Sequence, residues 1–150
     1  MEYSAGIIPF RKNKDGELEF FVGHPGGVEW ETRDYWAYLK GNINDGESIE
    51  SAALREFKEE CGLSLDNISK NDLISLGITK QNKHKYVIAF AIYYPYIEPE
   101  KCFSNMADNN LNPEIDKYAW LTYDEIVKKT HPKHIVFYNK ILNIYNLRKF

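Results

Sequence analysis

Residues Gly41 to Leu63 read GNINDGESIESAALREFKEECGL, and the helix this stretch contains is the place to start. Asp45-Gly46 makes a turn, Ser48 suits the N-cap, and Gly62 supplies a stop. Ile49, Ala53, Leu54 and Phe57 recur at helical spacing as an apolar side that would seat the helix on a sheet. Glu56, Glu59 and Glu60 stand at i, i+3 and i+4, so they share an adjacent face. Like charges packed this closely repel, and a cation among them relieves the repulsion. Oxygen donors without His or Cys suit a hard ion, Mg²⁺ or Mn²⁺, better than zinc. The plainer alternative is a solvated charged face, with Arg55 and Glu59 as an i,i+4 pair.

Outward from the helix, the pattern becomes β-rich. Tyr3–Phe10 and Leu18–Val22 read as strands joined by a turn at Asp15-Gly16. His24-Pro25-Gly26-Gly27 breaks the second strand, and a loop with Trp30, Tyr35 and Trp36 follows. Trp36–Leu39 reads as a short extended piece, and Gly41–Glu47 as a loop closing over the carboxylates. After the helix, Leu73–Lys80 and Tyr86–Tyr94 form two strands around a basic turn, Gln81–Lys85. Glu100–Pro113, with Asn105, Asn109, Asn110 and Asn112, is a polar loop. Asp116–Leu121 is a further strand, and Thr122–Glu125 is a capping box that opens a helix ending near Thr130. Pro132 starts a last helix whose predicted buried stripe is Ile135, Tyr138, Ile141, Leu142 and Tyr145. The expected class is α+β, a mixed sheet between helices in one domain spanning 1–150.

The composition excludes several alternatives. Hydrophobic content of 43% and aromatic content of 15% suit an ordered globular chain rather than a disordered one. A net charge of −3 gives no general attraction to nucleic acid or anionic membrane, so an anionic ligand needs metal or local lysines. Two cysteines, Cys61 and Cys102, are too few for a disulfide framework, and Cys61 reads as a packing residue. The N-terminus MEYSAGIIPF has no basic leader, and no segment has the length of a membrane span. A cytoplasmic protein is expected.

Gly41, Glu47, Arg55-Glu56, Glu59-Glu60 and Gly62, with apolar Phe57 and Leu63, resemble the signature of the Nudix hydrolases at every specified position. The resemblance implies an α/β/α sandwich with a mixed β-sheet. The runs SAGIIPF, VGHPGG, WAYLKG and NPEIDKYAW look similar to a bacterial subgroup of predicted nucleoside triphosphate pyrophosphohydrolases. It further implies Mg²⁺-dependent hydrolysis of a diphosphate linkage, with Mn²⁺ able to substitute. On that resemblance Glu56, Glu59 and Glu60 match the metal-binding glutamates, the Gly41 carbonyl adds a ligand, and Arg55 and Glu47 are supports. Glu56 is the candidate base within the motif. Glu114 is the distal one, resembling an extra metal glutamate of diadenosine tetraphosphate hydrolases, and Asp116 is a weaker alternative.

Lys40, Lys83 and Lys85 are candidates for phosphate contacts, and Trp30, Tyr35, Trp36 and Tyr86 for stacking a base. Solvated turn lysines and core aromatics are the ordinary roles of such residues. His24 and His84 read as surface histidines. Two departures stand out: Leu39 replaces a proline common before the Lys-Gly, and the proline that marks ADP-ribose pyrophosphatases is absent. The expected substrate is a nucleoside triphosphate or dinucleoside polyphosphate. A non-catalytic nucleotide sensor and an RNA 5′-end pyrophosphohydrolase are the alternatives; for the latter, His131, Lys133, His134, Arg148 and Lys149 make a basic C-terminal end.

Overall fold

The computed structural model describes residues 1–107 and 111–148; Asn109, Asn110 and Lys149 lie outside them. The chain runs β1 (Glu2–Lys12), β2 (Leu18–Pro25), β3 (Leu39–Asn42), α1 (Ile49–Cys61), β4 (Ile74–Asn82), β5 (Lys85–Tyr93), β6 (Ile115–Thr122), α2 (Tyr123–Lys129) and α3 (Ile135–Arg148). The sheet order is β4-β5-β1-β2-β6, with β3 paired to β1. Strands β1 and β5 run parallel and the other pairs antiparallel, so the sheet is mixed, as the pattern suggested.

Strand alternation builds the layers. Ile7 and Ile8 are neighbours on β1, yet Ile7 enters one buried cluster and Ile8 the other. Phe21 and Phe20 on β2, and Ile88 and Val87 on β5, divide in the same way. One cluster takes Ala52, Ala53 and Phe57 from α1; the other takes Ile126 from α2 and Phe137, Tyr138 and Ile141 from α3. The result is a sheet between two helical layers.

Strands β1 and β2 leave their hairpin as a pair and then part. Phe10–Lys12 pair with Leu18–Phe20, whereas Ser4–Ile7 pair with β3. Strand β3 therefore fills the gap between them and carries Lys40 and Gly41 into the sheet. Gly41, expected to open a loop, is a strand residue opposite Ala5. The gap is narrow: a Cβ on Gly6 would lie 2.1 Å from the Leu39 carbonyl oxygen.

The caps follow the residues. Ser48 accepts a hydrogen bond from the Ser51 N–H, Gly62 adopts φ +81°, and Thr122 and Glu125 form the capping box. Two apolar stripes shift. Ile49 is 40% exposed, because the first turn of α1 borders a surface groove shared with Ile78 and Ile88; Ala52 and Cys61 take the buried places. On α3 the buried residues are Phe137, Tyr138 and Ile141, with Ile135, Leu142 and Tyr145 only partly covered. A 3-10 turn, Pro132–His134, precedes this helix and contributes the buried His134.

Candidate active site

Arg55 is the centre of the charged network. Its Nε donates to Glu47 Oε2 at 2.8 Å and its Nη2 to Glu47 Oε1 at 3.0 Å, a two-pronged grip. Nη2 also donates to the Asn42 carbonyl at 2.9 Å, tying α1 to β3. Nη1 reaches Glu56 Oε1 at 2.8 Å and Glu59 Oε2 at 3.2 Å. Glu47 in turn accepts the Asn44 N–H, which closes the loop between β3 and α1. The Arg55 guanidinium holds Glu47 below the usual carboxylate range.

Gly41 has a steric reason to be glycine. A Cβ there would fall 2.1 Å from both Cδ and Oε2 of Glu56. The carboxylate lies directly over the strand backbone, so Glu56 and Gly41 occupy one place. Burial raises the pKa of Glu56 and outweighs the lowering by Arg55; the Glu59 and Glu114 charges add to the rise.

Glu60 is the most enclosed of the three helix glutamates, at 7% exposure. Burial pushes its pKa up, the Lys40 charge opposes this, and Glu56 and Glu114 reinforce it. Lys40 shifts the other way, lowered by burial and then by Lys85. Tyr118 Oη donates to the Glu60 carbonyl, fixing the end of the helix to β6.

A cavity of about 340 Å³ opens beside these groups. Its wall includes Lys40, Glu60 and Glu114 together with Trp30, Tyr35, Tyr38, Gln81 and His131. The Trp30 and Tyr35 rings are 5.1 Å apart. Glu114 reaches this wall through a backbone relay off α1. The Asn105 N–H donates to the Glu59 carbonyl at 2.8 Å, and the Glu114 N–H donates to the Asn105 carbonyl at 2.9 Å. The Phe103 N–H adds a bond to the Cys61 carbonyl at 3.2 Å. The loop thus caps the C-terminal carbonyls of α1 and delivers a distal carboxylate beside the helix glutamates.

Other predicted contacts land elsewhere. Lys83 sits on the exposed tip of the β4–β5 turn, away from the cavity wall. Tyr86 stacks on Tyr3 at 5.4 Å. Trp36 packs against the core and donates Nε1–H to Asp34. Lys85 is not on the wall, but its charge reaches Lys40 and His134. His84 lies on the exposed turn. His24, expected on the surface, is buried, with Nδ1 at 2.8 Å from Asp116 Oδ1 and Nε2 at 2.7 Å from the Arg33 carbonyl. Asp116 is therefore engaged with His24. Gln81 and His131 were legible only as a turn residue and a basic residue; no local pattern points to their place on the wall.

A sequence profile described as the NUDIX domain matches residues 3–141. The chain belongs to the NUDIX family. Among relatives, it is 29% identical over 143 residues to an RNA pyrophosphohydrolase of Wolbachia sp. subsp. Brugia malayi, covering 85% of this chain and 79% of the relative. It is 27% identical over 112 residues to the mRNA-decapping enzyme subunit 2 of Saccharomyces cerevisiae. That match covers 74% of this chain but spans only 10% of the yeast protein. Among solved structures, a C. elegans Ap4A hydrolase binary complex superposes with a TM-score of 0.64 at 19% identity, covering 95% of this chain and 98% of that one.

NUDIX proteins generally use a divalent metal. Among the described residues no three carboxylate, imidazole or thiol groups stand close enough together to hold an ion as they are placed. The donor set nevertheless suits one. The Glu114 charge raises the pKa of both Glu56 and Glu60, Glu56 raises that of Glu60 as well, and a divalent cation relieves that repulsion. Their oxygens match the preference of Mg²⁺. No helix among the described residues is long and apolar enough to cross a membrane.

Proposed function

We propose that this NUDIX protein hydrolyses a diphosphate linkage in a nucleoside triphosphate or dinucleoside polyphosphate with the help of Mg²⁺ or Mn²⁺. The observation that carries the reading is the shared wall of Lys40, Glu60 and Glu114 with the Trp30–Tyr35 aromatic pair. Glu56, Glu59, Glu60 and Glu114, with the Gly41 carbonyl, would hold the ion. A bound divalent ion neutralises phosphate oxygens and acidifies a coordinated water. Lys40 attracts the phosphate chain, and Trp30 with Tyr35 offers a stacking surface to a base. Glu56, whose pKa burial raises in spite of its bond from Arg55, and the distal Glu114 are the two candidates to take the proton of the attacking water. Arg55 and Glu47 act by positioning, since they hold α1, the end of β3 and the loop between them in one arrangement.

The names of the relatives favour a second substrate class, the 5′ end of RNA. The chemistry is the same diphosphate cleavage, so the site does not separate the two. Incubation with each nucleoside triphosphate, a dinucleoside tetraphosphate and a 5′-triphosphorylated RNA, with Mg²⁺ or Mn²⁺, does so by chromatography of products. Glu60→Gln should lower turnover on the accepted substrate by at least about a hundredfold while the protein stays folded. Undiminished turnover in the folded variant would remove Glu60 from the metal site.

A further inference from the structure

The Gln81 side chain lines the cavity and is held from behind by a histidine. His134 is fully buried, and its Nε2 lies 2.6 Å from Gln81 Oε1. The ring is boxed in by Tyr38 at 5.2 Å and His131 at 5.1 Å, with Phe137 beyond. Its other nitrogen, Nδ1, is buried with no hydrogen-bond partner among the described residues. Burial, aided by the charges of Lys40, His131 and Lys85, keeps this imidazole neutral. A neutral imidazole has one N–H. Were the proton on Nδ1, a donor would be orphaned in the core, which is rarer and costlier than a bare acceptor. The proton therefore belongs on Nε2, donating to Gln81 Oε1.

That assignment fixes the carboxamide. With Oε1 turned to His134, the amide NH₂ is the end left for the cavity, and it donates to no described residue. Gln81 thus shows donors only. Lys40 already supplies a cation for phosphate on the same wall, whereas an uncharged amide is matched to an uncharged acceptor. The Trp30 and Tyr35 rings in the same cavity provide the flat surface beside which a base would sit.

We infer that Gln81, oriented by His134, is a specificity residue that donates a hydrogen bond to the keto oxygen of a bound nucleobase, so that guanine and uracil are preferred to adenine and cytosine. The latter pair carry an amino group at the corresponding edge, and two donors facing each other leave both unpaired. A site built to pair with one partner rejects the analogue lacking it more strongly than an apolar pocket does.

This inference rests on the proposed nucleotide substrate, and binding separates it from the reaction. The test is titration calorimetry with the α,β-methylene analogues of GTP, UTP, ATP and CTP in Mg²⁺, alongside turnover of the natural triphosphates. Wild type should bind the keto analogues at least about tenfold more tightly. Gln81→Glu, an acceptor of nearly the same shape, should erase or invert the ratio, and Gln81→Leu should bring it near one. His134→Phe should also collapse the ratio while the variant still binds, an effect that simple loss of packing would not produce. Keto preference without turnover would sink the proposed reaction and leave this inference standing. Turnover with equal binding of all four analogues, or a Gln81→Glu ratio like that of wild type, would overturn it. Binding of none of the four would overturn it too.

Discussion

Replacing Gly41 by alanine asks whether the Glu56 carboxylate must lie on the strand backbone. The new Cβ would fall 2.1 Å from Cδ and Oε2 and 2.4 Å from Oε1, all well inside contact distance. The glutamate must swing away, because β3 is held in register by β1. Moving it breaks the 2.8 Å bond from Arg55 Nη1, a charge-assisted contact worth about 1.5–3 kcal/mol when enclosed. Both side chains keep some solvent, 28% for Arg55 and 13% for Glu56, so about 1–2 kcal/mol is the expected loss of stability. A displacement of an ångström or more at a reacting site costs about a hundredfold in rate. Urea denaturation gives the first quantity, and kcat/KM on the accepted nucleotide gives the second. The decisive measurement is a double-mutant cycle with Glu56→Ala. Once the carboxylate is gone the methyl has room, so Gly41→Ala should cost little stability in that background. An equal cost in both backgrounds would refute the steric account.

Further predictions address the supports, the core and pH. Arg55→Lys cannot reproduce the fork on Glu47 or span to Glu56 and Asn42, so kcat/KM should fall about tenfold or more while circular dichroism is unchanged. Phe57 is fully buried and meets Phe21 edge-on at 6.2 Å; Phe57→Ala should cost about 3–5 kcal/mol in urea denaturation. His134 has its pKa pushed down to about 2, from 6.5, first by burial. Below 6.5 the unfolded chain therefore binds a proton that the folded chain refuses. Its contribution is fully present above pH 6.5 and lost as pH falls, about 2 kcal/mol by pH 5. His131, also lowered by burial, acts in the same direction. Urea titrations at pH 7 and pH 5 should show a smaller acid loss in His134→Phe than in wild type, and identical losses would contradict the burial argument.

What the sequence determined by itself was local or periodic. Ser48, Gly62 and the Thr122–Glu125 box mark helix ends because caps satisfy neighbouring backbone groups, a short-range requirement. The mixed sheet between helices followed from the order of strands and helices along the chain, and the carboxylate face of α1 from the 100° step. The spacing of Gly41, Glu47, Arg55 and the glutamates was enough to point to the family. Only tertiary structure decided where these residues meet. Gly41 proved a strand residue because β1 and β2 part and leave a gap that β3 fills, a matter of sheet geometry with no local signal. Glu114 joins Glu60 and Lys40 on one wall through hydrogen bonds from a loop far along the chain. Gln81 and His134 are likewise distant in sequence, and their pairing depends on the 3-10 turn before α3 packing beside the end of β4. Tyr86 and Trp36 show the converse: an aromatic ring is legible as a candidate for stacking, but only the fold stacks Tyr86 on Tyr3 and packs Trp36 against the core. Hydrogen-bond partners and burial belong to the folded chain, which is why motif chemistry could be read early and the selectivity of the cavity could not.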